Sequence, residues 1–178
     1  TYLCGGHQID SILNEEKDKE WCIKWPTGCG ALGHMIIRSS ADVKKNWPIP
    51  IVLQEFIRLE KPVVYRMYCA DKKLFGWNKR EFGESTSPWV AHAQGAKYLQ
   101  LEPPNKQVLD LCERTFYAVN LYDSFGCVDL LQNRNGSWLI LETGTDGIFN
   151  YVDRNLGIPE LEEKIDSSIV KAFWMNKR

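Results

Sequence analysis

Residues 21–37 decide the fold, and they read Trp21-Cys-Ile-Lys24-Trp-Pro-Thr-Gly28-Cys-Gly30-Ala-Leu-Gly33-His34-Met-Ile-Ile37. An apolar run ends in Lys24, a loop with three glycines follows, and a second apolar run begins at once. This pattern predicts a β-hairpin with a long tip. Glycine backbone can approach a ligand closely and surround phosphate oxygens, and a lysine at the strand end supplies a charge for them. The stretch therefore predicts either a structural hairpin tip or a phosphate-binding loop.

The loop does not match the common phosphate-binding motifs. No Gly-Lys-Ser/Thr ends it, so it is not a Walker A loop. Gly28, Gly30 and Gly33 have the spacing of Gly-x-Gly-x-x-Gly, but a strand-like run follows where a dinucleotide site needs a helix. The rest of the chain has to decide between the two interpretations.

The amino-acid composition limits which classes of partner we expect. The chain has 178 residues, of which 44% are hydrophobic and 25% charged, with a formal net charge of −1. This is typical of a globular protein with one core or two small lobes, and it gives no reason to expect nucleic acid or a membrane as partner. No apolar run reaches the roughly 20 residues of a membrane helix. Six cysteines without a Cys-x-x-Cys pair argue against zinc and favour reduced thiols in the cytoplasm.

Hydrophobic periodicity predicts an α+β chain in which antiparallel strand pairs alternate with helices. A boundary near residue 58 would give a small lobe, 1–57, and a larger lobe, 58–178. An Asn-Gly turn at 135–136 predicts a hairpin between the last two strands. The predicted helices are 9–16, 40–46, 107–120, 149–155 and 159–175, and the predicted strands are 21–25, 34–38, 51–57, 62–69, 74–79, 128–131 and 138–143.

Two carboxylates stand in otherwise apolar strands, Asp129 in Cys-Val-Asp-Leu-Leu and Glu142 in Leu-Ile-Leu-Glu-Thr. In a two-stranded hairpin they can face each other, where repulsion and desolvation would be costly. A divalent cation removes that cost, and Mg²⁺ is typically held by one or two carboxylates plus nucleotide phosphates. The alternative is that each carboxylate is solvated or pairs with an arginine or lysine.

Two further features fit a nucleotide site less specifically. Gln54-Glu55-Phe56-Ile57 ends a strand at the lobe boundary, where an adenine-contacting hinge would lie, although a strand can simply end there. Arg66 and Arg80 lie in the next two strands. An arginine in an apolar strand often binds a carboxylate or phosphate, and the alternative is an exposed edge position.

The order of these features resembles the ATP-grasp superfamily. A strand that ends in a lysine is followed by the glycine loop, a second strand and the hinge. Two strands that each carry an arginine come next, and a long helix then leads to Val-Asp-Leu-Leu and to the strand that carries the glutamate. Within the superfamily the chain is most similar to the branch of ribosomal-protein glutamate ligases and glutathione synthetases. The resemblance implies two α+β lobes with antiparallel sheets that clasp ATP. The family's N-terminal α/β domain and second ATP-binding lysine are absent from the sequence, so we expect an ATP-binding portion.

The resemblance also implies a role for each candidate residue. Phosphates would be held by Lys24 and by the loop glycines, and Mg²⁺, with Mn²⁺ as an alternative, by Asp129 and Glu142. The acyl substrate or the transferred phosphoryl group would be bound by Arg66 and Arg80. Adenine would be surrounded by Gln54, Glu55 and Ile57. The implied reaction converts a small-molecule or peptide carboxylate into an acylphosphate, which an amine attacks to give an amide.

The chain also departs from the family pattern. The usual Glu-x-Asn of the second metal strand is Glu142-Thr143-Gly144, with Asp146 as a candidate replacement ligand. The Asp-x-Arg of the third strand is Val64-Tyr65-Arg66, without its aspartate. Two alternatives to a ligase therefore stay open, an ATP-grasp small-molecule kinase and a non-catalytic nucleotide-binding module. The oligomeric state is open too, with a homo-oligomer among the alternatives.

Overall fold

The computed structural model describes residues 1–28, 30–84 and 87–145, together with Glu163, Asp166, Ser167, Val170 and Lys171. The chain divides into two compact units, each with its own antiparallel sheet. The first comprises Thr1–Pro62 and Thr86–Gln94, and the second Val63–Ser85 and Gly95–Arg178. The predicted α+β class is confirmed, whereas the lobe boundary near residue 58 stays a prediction.

The first unit is a four-stranded sheet with one short helix. The strands run in the order β1-β4-β2-β3, and every pair is antiparallel. Alternate residues such as Ile23 and Leu53 are fully buried with Ile9 of the helix, so one face of the sheet forms the core. The elements are β1 Tyr2–Cys4, α1 Ile9–Glu15, β2 Trp21–Lys24, β3 His34–Ile37 and β4 Ile51–Glu55.

The predicted helix at 40–46 is wrong beyond its first turn. Only Ser40–Asp42 is helical, as a 3-10 turn. Asp42 accepts hydrogen bonds from the backbone N–H groups of Arg38 (2.7 Å) and Ser39 (3.1 Å), and Asp10 accepts one from that of Ser40 (2.7 Å). Side-chain acceptors thus satisfy the donors of this turn without a longer helix, as aspartates in turns commonly do.

The second unit is a five-stranded antiparallel sheet in the order β7-β6-β5-β8-β9. One long helix covers one face, and its buried residues Val108, Cys112 and Phe116 pack with Met67 and Val128 of the sheet. Asn105 begins this helix, because its side chain accepts from the N–H of Val108 at 3.1 Å. The elements are β5 Val63–Ala70, β6 Lys73–Glu81, β7 Lys97–Gln100, α2 Lys106–Ala118, β8 Phe125–Gln132 and β9 Trp138–Gly144.

Most predicted elements are confirmed to within a few residues, and two short strands, β1 and β7, were not predicted. Both are three or four residues long, too short for a clear alternation. The predicted helices at 149–155 and 159–175 lie outside the described residues, apart from five helical positions between 163 and 171. In the described part of the chain, none of the helices has the length and apolar character that spanning a bilayer requires.

We expect Phe116→Ala to lower the free energy of unfolding by about 3–5 kcal/mol, because it leaves a cavity between α2 and the sheet. Phe116 is 0% exposed. Urea unfolding followed by circular dichroism measures the change. The matched control is Tyr117→Ala, the next residue of the same helix and 58% exposed, which should cost far less. Equal losses in the two variants would show that α2 does not bury this face.

Candidate functional site

A buried carboxylate shared by two arginines lies in the second unit. Arg66 donates to Asp129 through Nε (2.6 Å) and Nη2 (2.9 Å), a two-point contact between guanidinium and carboxylate. Arg80 donates to the same carboxylate through its own Nη2. Asp129 is 1% exposed and the side chain of Arg80 11% exposed. The sequence-predicted Arg66, Arg80 and Asp129 therefore form one cluster.

The register of the sheet places polar residues in a single row. Gln100 of β7 lies opposite Asn78 of β6, Asn78 opposite Arg66, Arg66 opposite Asp129, and Asp129 opposite Glu142 of β9. Because facing residues share a side of the sheet, this row lies on the face away from α2. The predicted cross-strand position of Asp129 and Glu142 is confirmed.

A β-bulge between β5 and β6 lies next to this row. The pairing of β5 with β6 shifts between Arg66 and Tyr68, and Gly76, inside the shifted stretch, has φ +66°. Glycine adopts this left-handed conformation without a steric cost, and bulges redirect side chains beside functional sites. Asn78 holds the bulge, because its Nδ2 donates to the carbonyl oxygen of Gly76 at 2.7 Å.

Electrostatics keep the cluster charged. Burial by itself would raise the pKa of Asp129, but the charges and hydrogen bonds of Arg66 and Arg80 outweigh it and lower that pKa. Burial alone would lower the pKa of Arg66, and the adjacent carboxylate raises it. Two guanidinium groups on one carboxylate leave these three side chains with an excess of one positive charge, and the carboxylate of Glu142 lies opposite Asp129 in the same row.

The carboxylates of Asp129 and Glu142 supply only some of the ligands that a magnesium ion needs. Oδ1 of Asp129 accepts one arginine N–H and keeps a second lone pair, and Glu142 lies exposed opposite it. Within the part of the chain that the structure describes, no group of three or more His, Cys, Asp or Glu side chains could hold a metal. Asp146 lies outside the described residues. Two carboxylates with phosphate oxygens would still make a typical Mg²⁺ site.

In the first unit, Lys24 ends β2 where the glycine-rich connection begins. The N–H of Trp25 donates to the carbonyl oxygen of Gly33 at 3.0 Å and closes the hairpin. Lys24 pairs across the sheet with His34 and Val52, so it shares a face with Gln54, which pairs with Cys22. Burial first, and then the charge of Lys24, lower the pKa of His34 and keep it neutral at pH 7.

The remaining predicted residues also lie in this unit. Gln54 and Glu55 end β4, Ile57 follows it half-buried, and Glu55 lies 3.6 Å from the ammonium group of Lys19. Gly28 and Gly30 are in the connection, and Gly30 has φ +63°. The structure thus collects Lys24, the glycines and the hinge residues in one unit, and both arginines and carboxylates in the other.

Sequence reasoning missed an aromatic segment that belongs to the first unit. Trp89 packs against His34, with ring centroids 5.2 Å apart, and against Phe56 at 5.3 Å. Gln94 Nε2 donates to the carbonyl oxygen of Gly30 at 3.4 Å. This segment therefore contacts both the glycine-rich connection and the hinge. The apolar Trp89-Val-Ala run after Ser-Pro was the signal that could have found it.

Asn78 was missed as well. It is 1% exposed, in the row that contains Arg66 and Asp129. Its sequence neighbours Gly-Trp77-Asn78-Lys-Arg80 give no periodic signal for burial, because the bulge at Gly76 breaks the alternation of β6. A buried asparagine needs hydrogen-bond partners, and for this one the sequence supplied no candidate.

Solved structures of ligases share this fold. The ATP-grasp ligase PsnB, complexed with a phosphomimetic variant of its minimal precursor, Mg and ADP, matches with a TM-score of 0.66 and 15% identity, over 91% of this chain and 50% of that chain. A RiPP-associated ATP-grasp ligase from Chryseobacterium gregarium, in complex with ADP and a leader and core peptide, gives 0.58 and 13%, over 84% and 47%. The D-cycloserine synthetase DcsG gives 0.55 and 12%, over 82% and 55%.

These matches show that the chain has the ATP-grasp fold, as predicted. The chain spans about half the length of these solved structures. No protein-family profile and no curated protein sequence matches it. At 12–15% identity the likeness shows the fold alone.

We expect Gly33→Ala to destabilise the hairpin by about 1–3 kcal/mol, because a Cβ there would lie 2.2 Å from Trp25 and φ is +72°. Gly28→Ala is the matched control in the same connection. Its Cβ would lie 3.5 Å from the nearest atom, and the loss should stay within about 0.5 kcal/mol. Urea unfolding compares the two variants, and equal losses would contradict this geometry at Gly33.

We expect Asp129→Asn to lower the free energy of unfolding by about 3–5 kcal/mol near neutral pH, because two buried guanidinium groups lose their counter-charge. Since the folded pKa of Asp129 is lowered, its contribution is present above the unfolded value of about 3.9 and is lost as pH falls through the folded value. The difference between wild type and variant should therefore shrink in acid.

Urea unfolding between neutral and acid pH measures that difference. Glu102→Gln, which removes an exposed carboxylate of the same unit, is the control and should change stability little at any pH. A difference between wild type and Asp129→Asn that stays constant with pH would show that the ion pair does not carry the stability.

Proposed function

We propose that this chain is the ATP-binding portion of an ATP- and Mg²⁺-dependent carboxylate–amine ligase. The observation that carries the proposal is the buried cluster of Arg66, Arg80 and Asp129, with Glu142 opposite the carboxylate, in a chain with the ATP-grasp fold. Structures with this fold include ligases that contain ADP and Mg. Two buried arginines suit the binding of phosphate and carboxylate groups, and two neighbouring carboxylates suit Mg²⁺.

The nucleotide would be bound by residues of the first unit. Lys24 stands at the strand end before the glycine-bearing connection, in which Gly28 is exposed, so the lysine and the backbone of this connection would contact phosphates. Gln54, Glu55 and Ile57 would surround adenine. The contacts of the 87–94 segment with Gly30 and Phe56 would order the connection and the hinge together.

The acyl substrate and the transferred phosphoryl group would be bound by Arg66 and Arg80. A carboxylate oxygen attacks the γ-phosphorus of ATP, the bond from that phosphorus to ADP breaks, and ADP leaves. The amine then attacks the acyl carbon, the bond to phosphate breaks, and the amine loses a proton. Such a reaction depends mostly on positioning and charge neutralisation, which two arginines fixed on one carboxylate provide.

Asp129 and Glu142 would hold Mg²⁺ together with phosphate oxygens. When bound, the ion would neutralise phosphate charge and orient the transferred group. Asp129 keeps one lone pair on Oδ1 for this role, while Arg66 and Arg80 fix the orientation of its carboxylate. Mn²⁺ prefers the same oxygen ligands and is the second ion to test.

We further propose a peptide as the class of acyl substrate and the cytoplasm as the compartment. Ligases of this fold have been solved with precursor peptides. Five described cysteines are free and buried, which suits a reducing compartment. The similarity to the branch of ribosomal-protein glutamate ligases and glutathione synthetases stays a prediction.

One observation favours a second candidate, a non-catalytic nucleotide-binding module. Gly144 stands where the family pattern has a metal-binding asparagine, and two arginines already occupy Asp129. A module of this kind would bind ATP without substrate-dependent release of ADP. Kinase activity, the third alternative, would release ADP but leave a phosphorylated product.

Thermal unfolding with and without Mg·ATP tests nucleotide binding. We expect an apparent stabilisation of about 2.7 kcal/mol at a ligand concentration of 100 Kd. Lys24→Ala should lose most of it, because the phosphates lose a positive charge. Lys45→Ala, an exposed lysine of the same unit, is the control and should keep it. A stabilisation that is absent in wild type, or equal in both variants, would reject this nucleotide site.

Hydroxylamine separates the ligase from the alternatives once ATP binds. With Mg·ATP and a panel of peptides that contain glutamate or aspartate, an acylphosphate gives a hydroxamate, whereas a kinase product does not. We expect hydroxamate in wild type and at least tenfold less in Arg80→Gln, in line with the loss of one charged donor in a phosphoryl-transfer site. ATP binding without hydroxamate or ADP release would favour the non-catalytic module.

A further inference from the structure

A cavity of about 290 Å³ lies in the first unit, beside the β2–β3 hairpin. Its apolar walls are Trp25, Met35 and Trp47, and Gly33 also borders it. The two indoles meet edge to face, with ring centroids 6.1 Å apart at an interplanar angle of 67°. Trp25 packs directly on Gly33, because a Cβ there would lie 2.2 Å from the indole. The aromatic walls are therefore already in place without a ligand.

The cavity is separate from the residues proposed to bind nucleotide, apart from Gly33. Met35 lies opposite Ile23, and both Met35 and Trp47 pack against the buried cluster that contains Ile9 of α1. Because successive side chains of a strand point to opposite faces, Lys24 points away from this cluster. The apolar walls thus belong to the α1 side of the sheet, and the predicted phosphate-binding lysine to the other side.

The polar residues at the cavity are Lys44, Asn46 and His34. The N–H of Trp47 donates to the carbonyl oxygen of Lys44 at 2.9 Å, and this turn keeps the lysine beside the indole. Lys44 and Asn46 are exposed. Burial, and then the charge of a neighbouring lysine, lower the pKa of His34, so it is neutral at pH 7. No acidic residue is among the described residues that line the cavity, which leaves one positive charge at its opening.

These walls and this charge select a class of ligand. Indoles attract flat apolar rings and also cations. A cationic ligand would be repelled by Lys44, and no carboxylate of the lining offsets that repulsion. A ring that carries an anionic group satisfies both the indoles and the lysine. A volume of about 290 Å³ is near the lower end for small-molecule sites, so the ligand has one or two rings.

We propose that this cavity binds a small aromatic carboxylate. The ring packs against Trp25 and Trp47, and the carboxylate accepts hydrogen bonds from Nζ of Lys44 and Nδ2 of Asn46. Nε1 of Trp47 is buried without a partner among the described residues and is closed to solvent, so it has no part in this site. The site goes beyond the proposed function, and its test needs no nucleotide.

The probes are phenylacetate and 2-phenylethylamine, which share a ring and carry opposite charges at neutral pH. Each is titrated into the full chain at equal ionic strength, and ligand-observed NMR measures the affinity. We expect phenylacetate to bind at least about fivefold more tightly, because attraction by Lys44 becomes repulsion for the ammonium group. Acetate, which has no ring, should bind at least about tenfold more weakly than phenylacetate.

Three results of this titration would overturn the proposal. If the amine binds as tightly as phenylacetate or more tightly, the cavity does not select an anion. If acetate binds as tightly as phenylacetate, the indoles take no part in binding. If phenylacetate does not bind, the cavity is not a site for this class of ligand.

Two neighbouring lysines test the source of the charge preference. Lys44 lines the cavity and Lys45 does not, and both are exposed. We expect Lys44→Gln to lose the preference for phenylacetate over the amine, or to reverse it, since the indoles that remain attract cations. Lys45→Gln should keep it. The same ratio of affinities in the two variants would overturn the assignment of Lys44.

A second pair of variants tests the aromatic wall. Trp25→Ala should weaken phenylacetate at least about fivefold, because the ring loses one of two indoles. Leu32→Ala removes a 61% exposed side chain of the same connection outside the cavity and should bind as wild type does. Equal affinities in both variants would overturn the role of Trp25. If circular dichroism shows that Trp25→Ala does not fold, the two lysine variants decide the proposal.

Discussion

The second unit is organised around one constraint, that a carboxylate buried at Asp129 has to be paired. Arg66 meets it with a two-point contact and Arg80 with a third hydrogen bond, and each arginine comes from a different strand. Strands β5, β6 and β8 are thereby tied at one level of the sheet. Because an unpaired buried charge costs several kcal/mol, register slips of these strands are strongly disfavoured.

The same constraint explains why the two faces of the sheet differ. The face toward α2 is filled by residues such as Met67, Val128 and Phe116, which need only volume and apolar character. The opposite face carries groups that need specific partners. The polar row therefore lies apart from the apolar core that stabilises the sheet.

The sequence predicted those parts of this arrangement that are specified by hydrophobic periodicity, by charged residues in apolar strands or by a turn motif. Helix α2 and the pairing of Asp129 with Glu142 were predicted because apolar spacing and an Asn-Gly turn specify them locally. Asn78 could not be found in that way, because a bulge in β6 places it, and for Trp89 the apolar run indicates its presence in a core but not its long-range contact with Phe56.

The segment that carries Trp89 also determines where the chain can be divided. The chain enters the second unit at Val63, returns to the first for residues 86–94, and leaves it again at Gly95. A piece ending at Pro62 would lack the indole that covers Phe56 and His34. A single cut after Pro62 therefore does not release the first unit intact, because residues 86–94 of that unit follow Val63–Ser85 of the second unit in the chain.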